Sequence, residues 1–255
     1  MQNLNRISES LTRSLDLKQP PIGVLLTDAK PGGVSNWTGA APAGCRFWQE
    51  AAQGVFATSA RDHDLCAIGI YTHHLDAPAP VQSELGEALK VLGELGYVRA
   101  EDIPQIPVLA KQPNYVVYGP LAQMPERPDA VLLFVNASQT LIVSEAAQQV
   151  EAGLPPAMGR PACAVIPQAV NSGRSALSLG CCGARAYLDV LTDDVALFAI
   201  PGARIEAFAE RIAALANANA VLSKFHTLRR VDVEGGARPS VAQSLERLSA
   251  ADERR

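Results

Sequence analysis

The sequence has little of two features that mark nucleic-acid-binding proteins. Aromatic residues make up 5% of the 255 residues, and the lysines and arginines form no basic stripe. Binding to duplexes needs clustered positive charge to neutralise phosphates, and binding to single strands relies on aromatic stacking surfaces. With a formal net charge of -4 as well, the sequence predicts no nucleic-acid partner.

Long apolar segments are also missing. The longest apolar runs, such as residues 130–135, are strand-sized, whereas a helix needs about 20 apolar residues to cross a bilayer. The N-terminal residues lack the apolar core of a secretory signal, and Leu4, Ile7, Leu11 and Leu15 recur instead at helical spacing. We therefore expect no membrane contact and a cytoplasmic location, where cysteines stay reduced.

Several motifs of known chemistry are absent too. The chain has no phosphate-binding loop, no dinucleotide fingerprint, no zinc-protease helix and no serine elbow. This leaves little support for a kinase or a Rossmann dehydrogenase. The five cysteines show neither a C-x2-C knuckle nor a ferredoxin spacing.

What the sequence does have is 48% apolar residues, which predict a packed globule. Short apolar runs alternate with helical patterns and predict an α/β or α+β fold, a mixed sheet with flanking helices. We expect one domain over residues 1–228, built from weakly related halves at about 20–125 and 128–202 and a closing helix at 202–226. A helix near 79–95 is expected in the first half only. Residues 229–255 form a polar tail, in which the spacing of Val241, Leu245 and Leu248 allows a short surface helix. The sequence leaves open whether the protein forms a homo-oligomer.

The two halves resemble each other most around their cysteines. Cys45 and Cys163 each follow a proline near a predicted helix start, where backbone N–H groups stabilise a thiolate. Cys66 and Cys181 each enter a turn that contains glycine. If the halves pack about a pseudo-twofold axis, these four converge, and four thiolates suit an iron–sulfur cluster or a tetrahedral zinc. Alternatively, they are small buried hydrophobic residues.

Other polar residues lie close to these cysteines in the sequence. Histidine can bind metals or move protons near neutral pH, and arginine can offset negative charge. Alternatively, the histidines cap helices or face solvent, and the arginines form ion pairs on the surface. The candidates for contact with a cofactor are Arg46, His63, Gly69, Gly183 and Arg185, and the roles of His73, His74 and Cys182 stay open.

Six segments carry a resemblance to a known family. They are residues 20–24, 44–48, 62–66, 68–73, 159–163 and 178–181. These segments resemble the prokaryotic proteins grouped as domain of unknown function 169, and they occur in the same order as in that family. The resemblance covers about residues 10–226. The resemblance implies single cysteines at Cys45, Cys66, Cys163 and Cys181 and histidines at His63 and His73. Other members often have a different residue at Cys182, so its case as a ligand is the weakest. The family is largely uncharacterised and implies little about activity.

The leading prediction is a metalloprotein in which Cys45, Cys66, Cys163 and Cys181 hold an iron–sulfur cluster between the halves, with zinc as the alternative metal. Its partner would be a redox protein or a small molecule. A second hypothesis is a thiol enzyme or sulfur-handling protein, with Cys66 or Cys181 as nucleophile and His63 as base. A third is a metal-free module whose cysteines line a ligand pocket. Whether the protein is an enzyme stays open.

Overall fold

The computed structural model describes residues 2–76 and 78–252, which fold around one mixed sheet of eight strands. The strands are β1 (Ile22–Thr27), β2 (Ser35–Asn36), β3 (Phe56–Thr58), β4 (Tyr115–Pro120), β5 (Ala130–Val135), β6 (Ala157–Met158), β7 (Ala176–Ser178) and β8 (Ala196–Pro201). The helices are α1 (Gln2–Leu15), α2 (Arg46–Glu50), α3 (Ala67–Thr72), α4 (Ala79–Glu94), α5 (Ala137–Val150), α6 (Val165–Ser172), α7 (Ile205–Glu234) and α8 (Val241–Asp252). The predicted α/β class with flanking helices is confirmed.

The strand order is β2-β3-β4-β1-β5-β8-β7-β6, and the two halves of the sheet repeat one pattern of pairing. In the first half, β1 and β3 flank β4 antiparallel, and β2 pairs with β3 in parallel. In the second half, β5 and β7 flank β8 antiparallel, and β6 pairs with β7 in parallel. The antiparallel pair β1–β5 joins the halves at the centre of the sheet. A pseudo-twofold axis between them stays a prediction.

The sheet is buried on both faces, which explains its continuous apolar strands. Along β5, Val131 and Leu133 contact the layer of α1, α5 and α7, whereas Ala130 and Leu132 point to the opposite face. That opposite face packs against α2, α6 and the cysteine-bearing segments. Successive side chains of a strand alternate between faces, so each central strand contributes to two cores.

Local sequence sets the ends of several helices. Asn136 begins α5 through a capping box, in which its side chain accepts from the Gln139 N–H and the Gln139 side chain accepts from the Asn136 N–H. Gly173 ends α6 in the left-handed conformation at φ 65°, which glycine adopts without steric cost. These two ends fix where the second half turns back toward its short strands.

The C-terminal region is more helical than the sequence indicated. The sequence predicts that the closing helix ends near residue 226, but α7 continues to Glu234. In the predicted polar tail, α8 forms where the spacing of Val241, Leu245 and Leu248 allowed a short helix. No proline or glycine interrupts residues 205–234, so nothing in the sequence stops the helix earlier. Within residues 2–76 and 78–252, no helix combines the length and apolar character needed to span a bilayer.

Candidate functional site

The structure brings the four predicted cysteine ligands together beside one face of the sheet. Cys45 lies directly before α2, and Cys163 lies in the turn Ala162–Ala164 that leads into α6. Cys66 lies directly before α3, and Cys181 lies after β7. Each half therefore contributes one cysteine before and one after a three-residue strand, which is β3 in the first half and β7 in the second. Three of these cysteines are buried and Cys181 is half-buried.

The four thiols are close enough to influence one another's ionisation. Burial, together with thiolate charge at Cys66 and Cys181, raises the pKa of the Cys45 thiol to about 12. Burial also raises the pKa of Cys66, which feels charge at Cys181. The pKa of Cys163 is raised by burial and by charge at all three other thiols. Electrostatic interaction thus connects every pair among the four, and without a metal the three buried thiols stay protonated at neutral pH.

Hydrogen-bond donors point at three of the sulfurs, and for Cys45 they are the backbone N–H groups of Cys45 itself and Arg46. The backbone N–H groups of Gly44 and Gly69 act against burial and lower the pKa of Cys66. The Thr72 hydroxyl donates to Cys163 Sγ over 3.4 Å, and this contact joins the two halves. Such donors stabilise the thiolate form, which is the form that binds metal.

Bare glycine backbone lies against the same sulfurs. A Cβ atom at Gly69 would lie 2.8 Å from Cys66 Sγ, closer than real side-chain contacts allow. A Cβ at Gly44 would lie 3.7 Å from that sulfur, and one at Gly183 would lie 4.0 Å from Cys181 Sγ. Gly69 is therefore required by close approach to Cys66, whereas Gly183 has room for a methyl group.

His63 and His73 lie among these thiols, and each is held by a backbone carbonyl. His63 Nδ1 is 3.0 Å from the Ser59 carbonyl oxygen, and His73 Nδ1 is 3.0 Å from that of Gly69. Because a carbonyl only accepts, Nδ1 carries the proton in both rings and Nε2 carries a lone pair. Both Nε2 atoms are buried without a hydrogen-bond partner among the described residues. We name these two histidines and the four cysteines the cysteine–histidine site.

Burial keeps both imidazoles neutral. It lowers the pKa of His63, and for His73 burial together with the nearby His63 ring lowers the pKa to about 3. The two ring centroids are 6.0 Å apart. A neutral imidazole with an unpaired, buried Nε2 can bind a metal or accept a proton or hydrogen bond. The sequence indicated His63 but left His73 open, because spacing alone did not show which way its ring points.

The aromatic side chains of Phe47 and Tyr118, which we call the aromatic wall, border the site. The sequence did not predict that they contribute to it. Burial and thiolate charge at Cys163, Cys66 and Cys45 raise the pKa of the Tyr118 hydroxyl on β4. The Phe47 ring stacks on Tyr118 at 5.7 Å and meets His63 edge-on at 4.8 Å. The apolar run of β4 predicted a buried strand, but no sequence signal showed which face of that strand would meet the cysteines.

The two arginines predicted near the cysteines make other contacts. Arg46 is exposed and bonds with Glu50 and Gln49 on its own helix. Arg185 donates to backbone carbonyls at four positions, which are Leu179, Leu191, Thr192 and Val195. A role for either arginine in tuning a cofactor stays a prediction.

The remaining candidates lie at the edge of the site or outside it. Cys182 is exposed and is not among the thiols that raise the pKa values of the buried cysteines. His74 Nδ1 donates to the Leu109 carbonyl oxygen over 2.9 Å. Over residues 2–76 and 78–252, no three or more histidine, cysteine, aspartate or glutamate side chains already stand in the arrangement of a bound metal ion.

The fold and this geometry define a class: an α/β protein of two sheet halves with a buried cysteine–histidine site beside one face. A protein-family model described as "DUF169: Uncharacterised ArCR" matches residues 10–211, and the chain belongs to this family. The matched segment contains every residue of the site. No curated protein and no solved structure shows a significant match to the chain.

Proposed function

We propose that the protein is a cytoplasmic metalloprotein that holds an iron–sulfur cluster between its halves, with Cys45, Cys66, Cys163 and Cys181 as ligands. The observation that carries the proposal is that the fold brings four thiols, spread from residue 45 to residue 181, close enough to affect one another's pKa beside one face of the sheet. Four cysteine thiolates are the common ligand set of iron–sulfur clusters. Such a group, when bound, would supply one-electron transfer to a redox partner protein or a small molecule.

The protein's own residues would prepare the sulfurs for such a group. Burial excludes water and makes an uncompensated thiolate costly, so a metal cation would take the place of the protons. The Gly44 and Gly69 N–H groups and the Thr72 hydroxyl then stabilise the ligand charge. The aromatic wall of Phe47 and Tyr118 lowers the local polarity, which tunes a redox potential.

We favour a cluster over a single zinc ion because glycines, rather than residues with side chains, lie beside the ligands. Gly44, Gly69 and Gly183 leave the sulfurs of Cys66 and Cys181 without side-chain cover on that side. The ligands also come from four separate elements of the fold, unlike the two paired ligands of a local zinc knuckle. Zinc remains a defined outcome of the test.

One observation favours a thiol enzyme as the second candidate. The Cys66 sulfur and the His63 ring nitrogen Nε2 each lie 3.7 Å from the position that a Gly44 Cβ would take, so base and thiol are neighbours. Against this reading, burial raises the pKa of Cys66, whereas a reactive cysteine has a lowered pKa. His63→Gln separates the two: it abolishes thiol reactivity in an enzyme but only shifts the potential of a cluster.

The test is purification of the full chain without oxygen, followed by a visible spectrum and analysis of iron, labile sulfide and zinc. We expect broad visible absorbance with iron and sulfide in similar amounts. Serine at each of the four proposed ligands should remove the absorbance, and the exposed Cys182→Ser is the matched control that should keep it. Zinc without iron would move the proposal to a tetrahedral zinc site.

A colourless, metal-free protein would overturn both metal readings. Labelling of the thiols before and after His63→Gln would then test the enzyme. If neither metal nor reactive thiols were present, the cysteines would be lining residues of a ligand-binding module.

A further inference from the structure

A cavity of about 480 Å³ lies between α3 and α4, outside the cysteine–histidine site. Four residues at helical spacing on and just after α3 line it: Ala67, Ile70, Tyr71 and His74. Gly69 and Thr72, which approach the cysteines, lie three residues apart on the same helix and are not part of this lining. Residues three and four apart share a helix face, so the cavity and the site use different faces of α3.

The cavity walls are mainly apolar. Ile70, Leu75 and Val81 are buried at 2%, 6% and 6% exposure, and Leu85 and Val108 complete the apolar lining. A ligand site of this kind typically has a volume of about 300–1,000 Å³ and apolar walls with a few polar groups that set orientation. The α3–α4 cavity has both properties.

Three polar side chains line the cavity, those of Tyr71, His74 and Gln82, and the first two supply complementary hydrogen-bonding capacity. The Tyr71 hydroxyl, which can donate or accept, has no partner among the described residues. His74 donates from Nδ1 to the Leu109 carbonyl oxygen, so its Nε2 carries a lone pair that can accept. His74 also has a backbone φ of 54°, a left-handed conformation that is uncommon outside glycine and concentrates at functional positions.

Hydrogen bonds hold one wall of the cavity in place. The Leu109 N–H donates to the Thr72 carbonyl oxygen over 3.0 Å, which ties the segment after Val108 to α3. Asn171 on α6 donates to the Val108 carbonyl oxygen and accepts from the Ala110 N–H. The segment is therefore fixed to both halves of the protein, and the wall is largely formed before a ligand arrives.

We infer that the α3–α4 cavity binds a small aromatic compound with a hydroxyl group, a molecule of the phenol class. The aromatic ring fits the apolar walls made by Ile70, Val81 and Leu85. The hydroxyl donates to His74 Nε2 and accepts from the Tyr71 hydroxyl. Neither group is part of the cysteine–histidine site, so the inference is independent of whether a metal binds there.

The first test compares two probes on the full chain, 2-naphthol and naphthalene, by ligand-observed NMR titration. The compounds share a ring system, and only 2-naphthol has the hydroxyl. We expect 2-naphthol to bind about fivefold to a hundredfold more tightly, which is the range for two net hydrogen bonds. Tyr71→Phe and His74→Gln should each reduce that preference while leaving the affinity for naphthalene unchanged.

The second test locates the probe. Leu85→Trp fills the cavity from α4, and Leu89→Trp, one turn further along the same helix and outside the lining, is the matched control. We expect Leu85→Trp to weaken 2-naphthol binding about tenfold or more through lost apolar contact, and Leu89→Trp to change it less than about twofold. The inference is overturned by absent binding, by equal losses in both tryptophan variants, or by a hydroxyl preference that survives both polar substitutions.

Discussion

The two halves of the molecule repeat one strand pattern and one pair of cysteines, but they differ in what surrounds those cysteines. The first half adds His63, His73 and the long insertion that contains α4. The second half passes from the turn Gly183–Tyr187 to β8 through residues 188–195 and supplies no histidine. The shared part is the thiol set. The differing part is the two buried histidines and the cavity beside α4, which only the first half has.

The largest expected effect tests whether the halves contribute equally. Cys66→Ser and Cys163→Ser remove one proposed ligand from each half, and both should lower the bound metal about tenfold or more, since even groups that only support ligands cost that much. Elemental analysis and visible absorbance measure the loss, with Cys182→Ser as the control. If only one of the two variants lost its metal, the site would belong to the half that contains that cysteine.

Alanine at the glycines next to the sulfurs should destabilise the protein in the first half but not in the second. Gly69→Ala places a methyl group 2.8 Å from Cys66 Sγ and should lower the free energy of unfolding by about 1–3 kcal/mol, as overpacking does. Gly183→Ala meets Cys181 Sγ at an ordinary 4.0 Å and should stay within about 0.5 kcal/mol. Denaturant titration measures both. Equal effects would contradict the asymmetry in packing.

Acid should destabilise the metal-free protein through the first half. The folded pKa of His73 is lowered from 6.5 to about 3, so its stabilising contribution is complete above pH 6.5 and is lost as the pH falls below that value. The loss should reach about 1.4 kcal/mol by pH 5.5, one pKa unit below 6.5. Unfolding titrations at pH 7.5 and 5.5 measure it.

The matched comparison for that prediction is between two histidine substitutions. His73→Gln should reduce the pH dependence between 7.5 and 5.5 and leave the part that the buried His63 contributes, whereas His226→Gln, on the exposed side of α7, should not reduce it. An unchanged slope in His73→Gln would show that the acid sensitivity arises elsewhere.

The smallest effect concerns Arg46. Its ion pair with Glu50 is exposed to solvent, and such pairs contribute between about 0 and 1 kcal/mol. Arg46→Gln should change the free energy of unfolding by about 0.5 kcal/mol or less and should leave the metal content unchanged. A shifted redox potential in this variant would instead support the sequence-based expectation that Arg46 tunes the cofactor.

The sequence predicted the parts of the site that depend on local pattern. Proline before Cys45 and Cys163 indicated helix starts, and the repeated order of small residues indicated where Cys66 and Cys181 would turn. The Arg46–Glu50 pair was also within reach, because charges four residues apart on a helix meet.

What the sequence could not show depends on distant packing. The orientation of the His73 ring follows from the Gly69 carbonyl, and the contact of Thr72 with Cys163 joins residues from opposite halves. Tyr118 joins the site only because β4 lies beside β1 and β3 in the sheet. Strand order and face arise from the whole chain, so no local pattern contains them.

The hydrogen bond between Thr72 and Cys163 has a consequence for how the protein is made. Residues on both sides of the sheet centre complete the site, and the last of its cysteines follows β7 late in the chain. A ribosome must therefore release most of the polypeptide before all four sulfurs exist in one place. No group could be held by all four thiols before Cys181 has left the ribosome, and a shorter chain would expose the thiols of its first half without their partners.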